Sequence, residues 1–125
     1  MTAEERAKEL ERASRDDPST LDKNELSALI GEGSWTLRMH VCRMLPRVNW
    51  ASQEYPIIRE FLLRQSEDRN TFVRAWALDS LASFAVADES IRPHVLGLID
   101  EALANGPSSV RVRARESLQR LGKRI

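Results

Sequence analysis

Several things are scarce in this 125-residue chain, and each scarcity narrows what it can be. It holds a single cysteine, Cys42, which rules out an internal disulfide and fits a reducing compartment. Five glycines and five prolines are too few for a linker-rich or low-complexity protein, and aromatic residues make up only 6%. No apolar run approaches the roughly 20 residues of a membrane span, and "MTAEERAKELERAS" lacks the apolar stretch of a signal peptide. The expectation is therefore a cytoplasmic protein without membrane contact. There is no Gly-rich phosphate loop either. The two histidines, His40 and His94, stand far apart in the sequence, and Cys42 follows His40 at a spacing that turns the two side chains apart on a helix. Neither a metal site nor a Cys-His nucleophile is expected, and no cofactor.

What is present is charge and aliphatic residues, 30% and much of the 42% hydrophobic fraction, which suits an ordered helical domain. The net charge is zero but unevenly spread. Residues 1–34 carry nine acids and five bases, whereas residues 109–125 carry six bases (Arg111, Arg113, Arg115, Arg120, Lys123, Arg124) and the one acid Glu116. In an elongated fold the ends would be oppositely charged and able to steer a partner or stack end to end.

The organising feature is a repeat. "LRMHVCRML" at 37–45, "VRAWALDSL" at 73–81 and "VRVRARESL" at 110–118 lie 36 and 37 residues apart. Each has an aliphatic residue followed by Arg (Arg38, Arg74, Arg111), then Val41, Ala77 or Ala114, then Leu45, Leu81 or Leu118. A further apolar residue follows at Val48, Phe84 or Leu121. Spacings of four, four and three place these on one helix face. The intervening segments, "YPIIREFLLRQSEDRN" and "RPHVLGLIDEALANGP", repeat with the same register, from Pro56 and Pro93 to Asp68 and Asn105, and Glu32 occupies the corresponding place before Leu37. The first unit has no such proline. It opens on "LDKNEL", where Asp22 can cap, Glu25 can complete a capping box, and Leu21 with Leu26 can form a hydrophobic staple. Gly31 and Gly33 suit its end. Ahead of it Thr2 and Glu5 form another capping box and open a polar helix that covers one end of the stack.

The proline in the first helix, the acid or amide in the turn and the Val-Arg pair opening the second helix resemble the HEAT repeat and its armadillo-like relatives, over residues 20–123. The resemblance implies an all-α fold, a right-handed α-α superhelix of about three helix pairs. The units would be a capping helix at 1–17 and repeats at 18–49, 50–86 and 87–123, forming one domain. It also implies that the turn acids and helix arginines form a ladder, with Glu32, Asp68 and Asn105 as acceptors for Arg38, Arg74 and Arg111. The fold by itself assigns no activity.

With the apolar stripe turned inward, a second row remains on the second helices: His40, Trp76 and Arg113, flanked by Arg43, Asp79 and Glu116. Second helices of such solenoids line the concave surface, and Trp and Arg are the types that concentrate binding energy. These six residues are the candidate partner-binding surface. The competing reading is that Trp76 fills a groove between helices, and that Trp35 and Trp50 pack the helix ends. The leading expectation is a non-catalytic protein-interaction module. Two alternatives follow from the resemblance: nucleic-acid binding through the basic last helix and Trp76, as in HEAT-like DNA glycosylases, and an enzyme accessory like the HEAT-type lyases that handle tetrapyrroles. The chain is expected to be a monomer or to self-associate weakly through the repeat ends.

Overall fold

A computed structural model describes residues 1–31 and 33–122, and these are all-helical. Glu32, Lys123 and Arg124 lie outside the described residues. The seven α-helices are α1 (Ala3–Asp16), α2 (Lys23–Ala28), α3 (Trp35–Met44), α4 (Tyr55–Gln65), α5 (Thr71–Ala85), α6 (Arg92–Asn105) and α7 (Ser108–Gly122), with 3-10 turns at Pro18–Thr20 and Leu45–Arg47. None is long and apolar enough to cross a membrane.

Local chemistry sets the boundaries. Thr2 and Glu5 form the reciprocal box expected at the start of α1, with Glu5 N–H donating to Thr2 Oγ1 at 3.1 Å and Thr2 N–H to Glu5 Oε1 at 3.4 Å. Asp22 caps α2 by accepting from Asn24 and Glu25 N–H, at 2.8 and 3.1 Å. Glu25 does not complete the second box. Its carboxylate binds the Arg6 guanidinium instead, at 2.5 and 3.1 Å, because a long-range bidentate partner holds it better than one backbone N–H. Helix α2 runs for only six residues, and Gly31, at φ 142°, occupies backbone space that favours glycine as the chain turns toward α3. Pro46 ends α3, so Leu45 lies in the following 3-10 turn rather than on the helix. Trp50 Nε1–H then donates to the Leu45 carbonyl at 2.8 Å, and Arg92 does the same for the carbonyls of Ala85 and Val86 at the end of α5.

Helices α1, α3, α5 and α7 pack side by side, α1 on α3, α3 on α5 and α5 on α7, while α4 packs on α5, and α6 on both α5 and α7. The core runs between these two layers. Val41, Ala77 and Ala114, at the same repeat position, are fully buried, as are Leu45, Leu81 and Leu121. Leu118 departs from the expected stripe. It is 38% exposed, with Val112 at 42%; among the described residues α7 packs on α5 and α6. Phe84 and Val48 are half-buried. In the row itself, Ser80 Oγ–H donates to the Cys42 carbonyl, tying α5 to α3. The alanines at 75, 77, 82 and 85 keep that helix thin enough to be contacted from several sides.

Leu81→Ala leaves a void in this core and should cost about 2–5 kcal/mol, whereas Leu118→Ala should cost under about 1 kcal/mol, read by urea denaturation. Equal costs would contradict the burial pattern. Burial also pushes the Cys42 thiol far above its ordinary pKa. The native protein should resist a thiol reagent, with labelling appearing only at the rate of unfolding; immediate labelling in buffer would refute this.

Candidate functional site

The candidate surface begins on α1 with a residue the repeat pattern does not contain. Glu11 is fully buried, and a bare carboxylate there would be prohibitively costly, so the charge has to be answered locally. Three arginines answer it. Arg15, one turn on, donates from Nε at 2.6 Å and Nη2 at 3.2 Å; Arg43 of α3 places Nε 2.8 Å from Oε1; Arg47 places Nη1 3.6 Å from Oε2. Arg47 also donates to the Glu11 carbonyl at 3.1 Å and to Ser14 Oγ at 2.6 Å. Burial alone would raise the Glu11 pKa. The Arg15 hydrogen bond and the charges of Arg43, Arg15 and Arg47 together outweigh it and hold the carboxyl below its ordinary range.

From Arg43 the contacts continue across the row. Its guanidinium carbon lies 4.2 Å from the centre of the Trp76 ring on α5, and that of Arg113 on α7 lies 4.9 Å from the same ring. Arg113 in turn pairs with Glu116 at 2.9 Å. Glu11, Arg43, Trp76, Arg113 and Glu116 thus make one line over four helices. Beside it, Arg120 repeats on α5 what Arg47 does on α1: it donates to the Asp79 carbonyl at 3.0 Å, to Ser83 Oγ at 2.7 Å, and to Asp79 Oδ1 at 2.8 Å. Helix α1 therefore presents Glu11 and Ser14 to its neighbour as α5 presents Asp79 and Ser83. Helix α1 thus meets its neighbour as a second helix does.

Five of the six sequence-selected residues fall on these lines: Arg43, Trp76, Arg113 and Glu116 in one, Asp79 in the other. The sixth, His40, is buried rather than at the border of the surface, and its Nδ1 has no hydrogen-bond partner among the described residues. Burial lowers its pKa against the opposing pull of Glu11, so the ring is neutral at physiological pH. Trp76 is half-buried, and its flanking arginines occupy its ring while also serving carboxylates.

Two aromatics contribute exposed surface that the pattern undervalued. Trp35 is 43% exposed rather than packed into a helix end, and it stacks on Phe72, 49% exposed, with ring centroids 6.0 Å apart. Phe72 precedes Trp76 by four residues and so shares its stripe of α5, with Asp79 and Ser83 following at three and four. That spacing was readable in advance. Trp50 is half-buried and closes a helix end as expected.

The resemblance implies acceptors at Asp68 for Arg74 and at Asn105 for Arg111, and neither side chain takes that bond, while Glu32, implied for Arg38, lies outside the described residues. Arg38 reaches forward to the next turn, to Asp68 Oδ1 at 2.6 Å and Gln65 Oε1 at 2.8 Å. Among the described residues Arg74 reaches the Asp68 carbonyl alone, at 3.4 Å, and Arg111 Ser108 Oγ alone, at 3.4 Å. Among the described residues no cluster of three or more His, Cys, Asp or Glu is arranged to hold a metal ion. No protein-family model matches the chain, and neither does any curated protein or solved structure.

Glu11→Gln should cost about 2–3 kcal/mol at neutral pH, toward the low end for a broken buried ion pair because the arginines are partly exposed. A depressed folded pKa contributes stability above the unfolded value and loses it as pH falls through the folded one. The wild-type advantage should therefore shrink below the ordinary glutamate range. Denaturant midpoints for both proteins from pH 7 to pH 3 check this, and a constant difference across the range would refute it.

Proposed function

We propose that the chain is a non-catalytic protein-interaction module that binds its partner along α3, α5 and α7. In this reading its helix pairs are HEAT-like repeats and its contact face runs from Trp35 and Phe72 to Trp76, Arg113 and Glu116. The observation that carries it is the stacked, exposed pair of Trp35 and Phe72 at the starts of two successive second helices. Large aromatics left in water on a rigid frame are costly to the monomer and are the types that dominate binding when a partner covers them. The Trp76 line supports the reading in another way. Its arginines and carboxylates hold one another in place before any partner arrives, which lowers the ordering cost of association.

The same pairing weighs against nucleic acid as the ligand of this face. A phosphate backbone needs cations without internal partners, and here Arg43 serves Glu11, Arg113 serves Glu116 and Arg120 serves Asp79.

The test uses Trp35→Ser combined with Phe72→Ser, which leaves the Trp76 line intact. A photo-crosslinking residue at Thr36 should capture a protein in native lysate that survives nuclease and is lost in the double variant. Capture abolished by nuclease would transfer the face to nucleic acid, and capture indifferent to the double variant would mean that the partner binds elsewhere.

A further inference from the structure

The two closing turns of the repeat can be compared position by position. Adding 37 to each number takes Pro56 to Pro93, Ile58 to Val95 and Leu62 to Ile99, and the last two pairs are buried at both places, so the register holds. The same step takes Gln65 to Ala102 and Asp68 to Asn105. Those are the two residues whose side chains bind Arg38, which also donates to the Gly33 carbonyl at 3.1 Å. Its side chain, 19% exposed, is closed in by their oxygens at 2.8 and 2.6 Å.

Arg74 is the counterpart of Arg38 one pair later, and it has lost both acceptors. The Ala102 side chain has no polar atom to offer, and its carbonyl is taken by Gly106 N–H at 2.8 Å. Asn105 turns its Nδ2 to Glu101 Oε1, at 3.0 Å. The Asp68 carboxylate is held by Arg38 and by Asn70 N–H at 2.9 Å, so Arg74 is left with one long bond to a backbone carbonyl. Shortening Gln to Ala also removes volume, and a cavity of about 180 Å³ stands there, between α5, α6 and α7. Its apolar lining comes from Leu78, Leu98, Ala102 and Val110, and Arg74, Asn105, Glu101 and Ser66 bring the polar groups, the Ser66 hydroxyl already donating to the Leu63 carbonyl at 2.6 Å. Gly106 keeps the turn close, since a Cβ there would sit 2.5 Å from the Ala102 carbonyl oxygen.

We propose that this cavity binds a carboxylate borne on a small branched apolar group, which takes the place that Asp68 and Gln65 fill one repeat earlier. The guanidinium of Arg74 receives the carboxylate, as a planar fork matched to two oxygens. Leu78, Leu98 and Val110 receive the apolar part, which the volume limits to about the size of a leucine side chain. Glu101 is the single carboxylate among the lining residues, and it opposes the ligand's charge from the exposed rim. Such a group occurs as a free short-chain acid and as the last residue of a polypeptide. The site is separate from the face around Trp76 and does not depend on its role.

The experiment is a titration of isotope-labelled protein, followed by amide chemical shifts, with N-acetyl-leucine, N-acetyl-leucine amide, acetate, and a hexapeptide ending in leucine with a free or amidated terminus. N-acetyl-leucine should bind in the millimolar range and shift residues around Ala102 and Val110. The amide and acetate should each bind at least about tenfold more weakly, having lost one half of the recognition. Arg74→Gln should weaken N-acetyl-leucine by a similar factor, and Glu101→Gln should tighten it. Ala102→Gln with Asn105→Asp rebuilds the earlier arrangement inside the cavity; it should abolish binding and raise the melting temperature. A hexapeptide at least tenfold tighter than N-acetyl-leucine would identify a polypeptide terminus as the ligand, and equal affinities a free small acid. Binding of the amide as tight as that of the acid, binding that survives the rebuilt double variant, or no shift with any probe would overturn the proposal. If the double variant does not fold, Arg74→Gln and the comparison of acid with amide decide the matter alone.

Discussion

One buried carboxylate orders this molecule. Glu11 is fully buried, so the fold has to bring it positive charge: Arg15 supplies it from the same helix, and Arg43 and Arg47 from the neighbouring helix and the turn after it. That requirement fixes where α1 sits on α3, since sliding by one turn would separate the carboxylate from Arg43 and Arg47 together. It also fixes Arg43, and through Arg43 the plane against which Trp76 rests. A charge introduced by the one helix outside the repeat therefore sets side-chain positions on the helices within it.

The repeat makes comparison within a single chain informative, because equivalent positions share backbone surroundings and differ only in side chain. Arg38 and Arg74 occupy the same place and have different neighbours, so the difference is chemical rather than topological. Asp79 and Glu11 show the reverse: unrelated stretches of sequence meet an arginine in the same way because their helices stand in the same relation to the next. An arginine reaches back in this way to α1 and to α5, whereas α5 is tied to α3 by the Ser80 hydroxyl.

Much of the fold was legible because a period of 36 to 37 residues with proline and arginine at fixed places leaves few arrangements other than stacked helix pairs. The caps at Thr2 and Asp22 were legible too, being local. The errors have one cause. Leu118 follows the pattern of Leu45 and Leu81, but burial requires a neighbour, and periodicity cannot say where the neighbours stop. Glu25 left its capping box because a partner distant in sequence holds it better than a near one, and Arg38 spans two turns, its own at the Gly33 carbonyl and the next at Asp68. Of the site residues, the row was found by spacing. His40 was placed too near the surface because the wheel has no knowledge of α1 lying against that side, and Phe72 was passed over although it stands one turn before Trp76.

Helix α5 keeps only a narrow stripe toward solvent, from Phe72 through Trp76 to Asp79 and Ser83. Valine, leucine, serine and four alanines are buried around most of its circumference, with α3, α4, α6 and α7 all leaning on it. A long array of repeats can melt from its ends, each unit leaving the next intact, but helices that lean four at a time on one central helix cannot. Loss of either flank exposes a face of α5 that was never built for water. The consequence is that the protein should unfold as one cooperative body, and that neither half is an autonomous domain from which a shorter functional fragment could be cut.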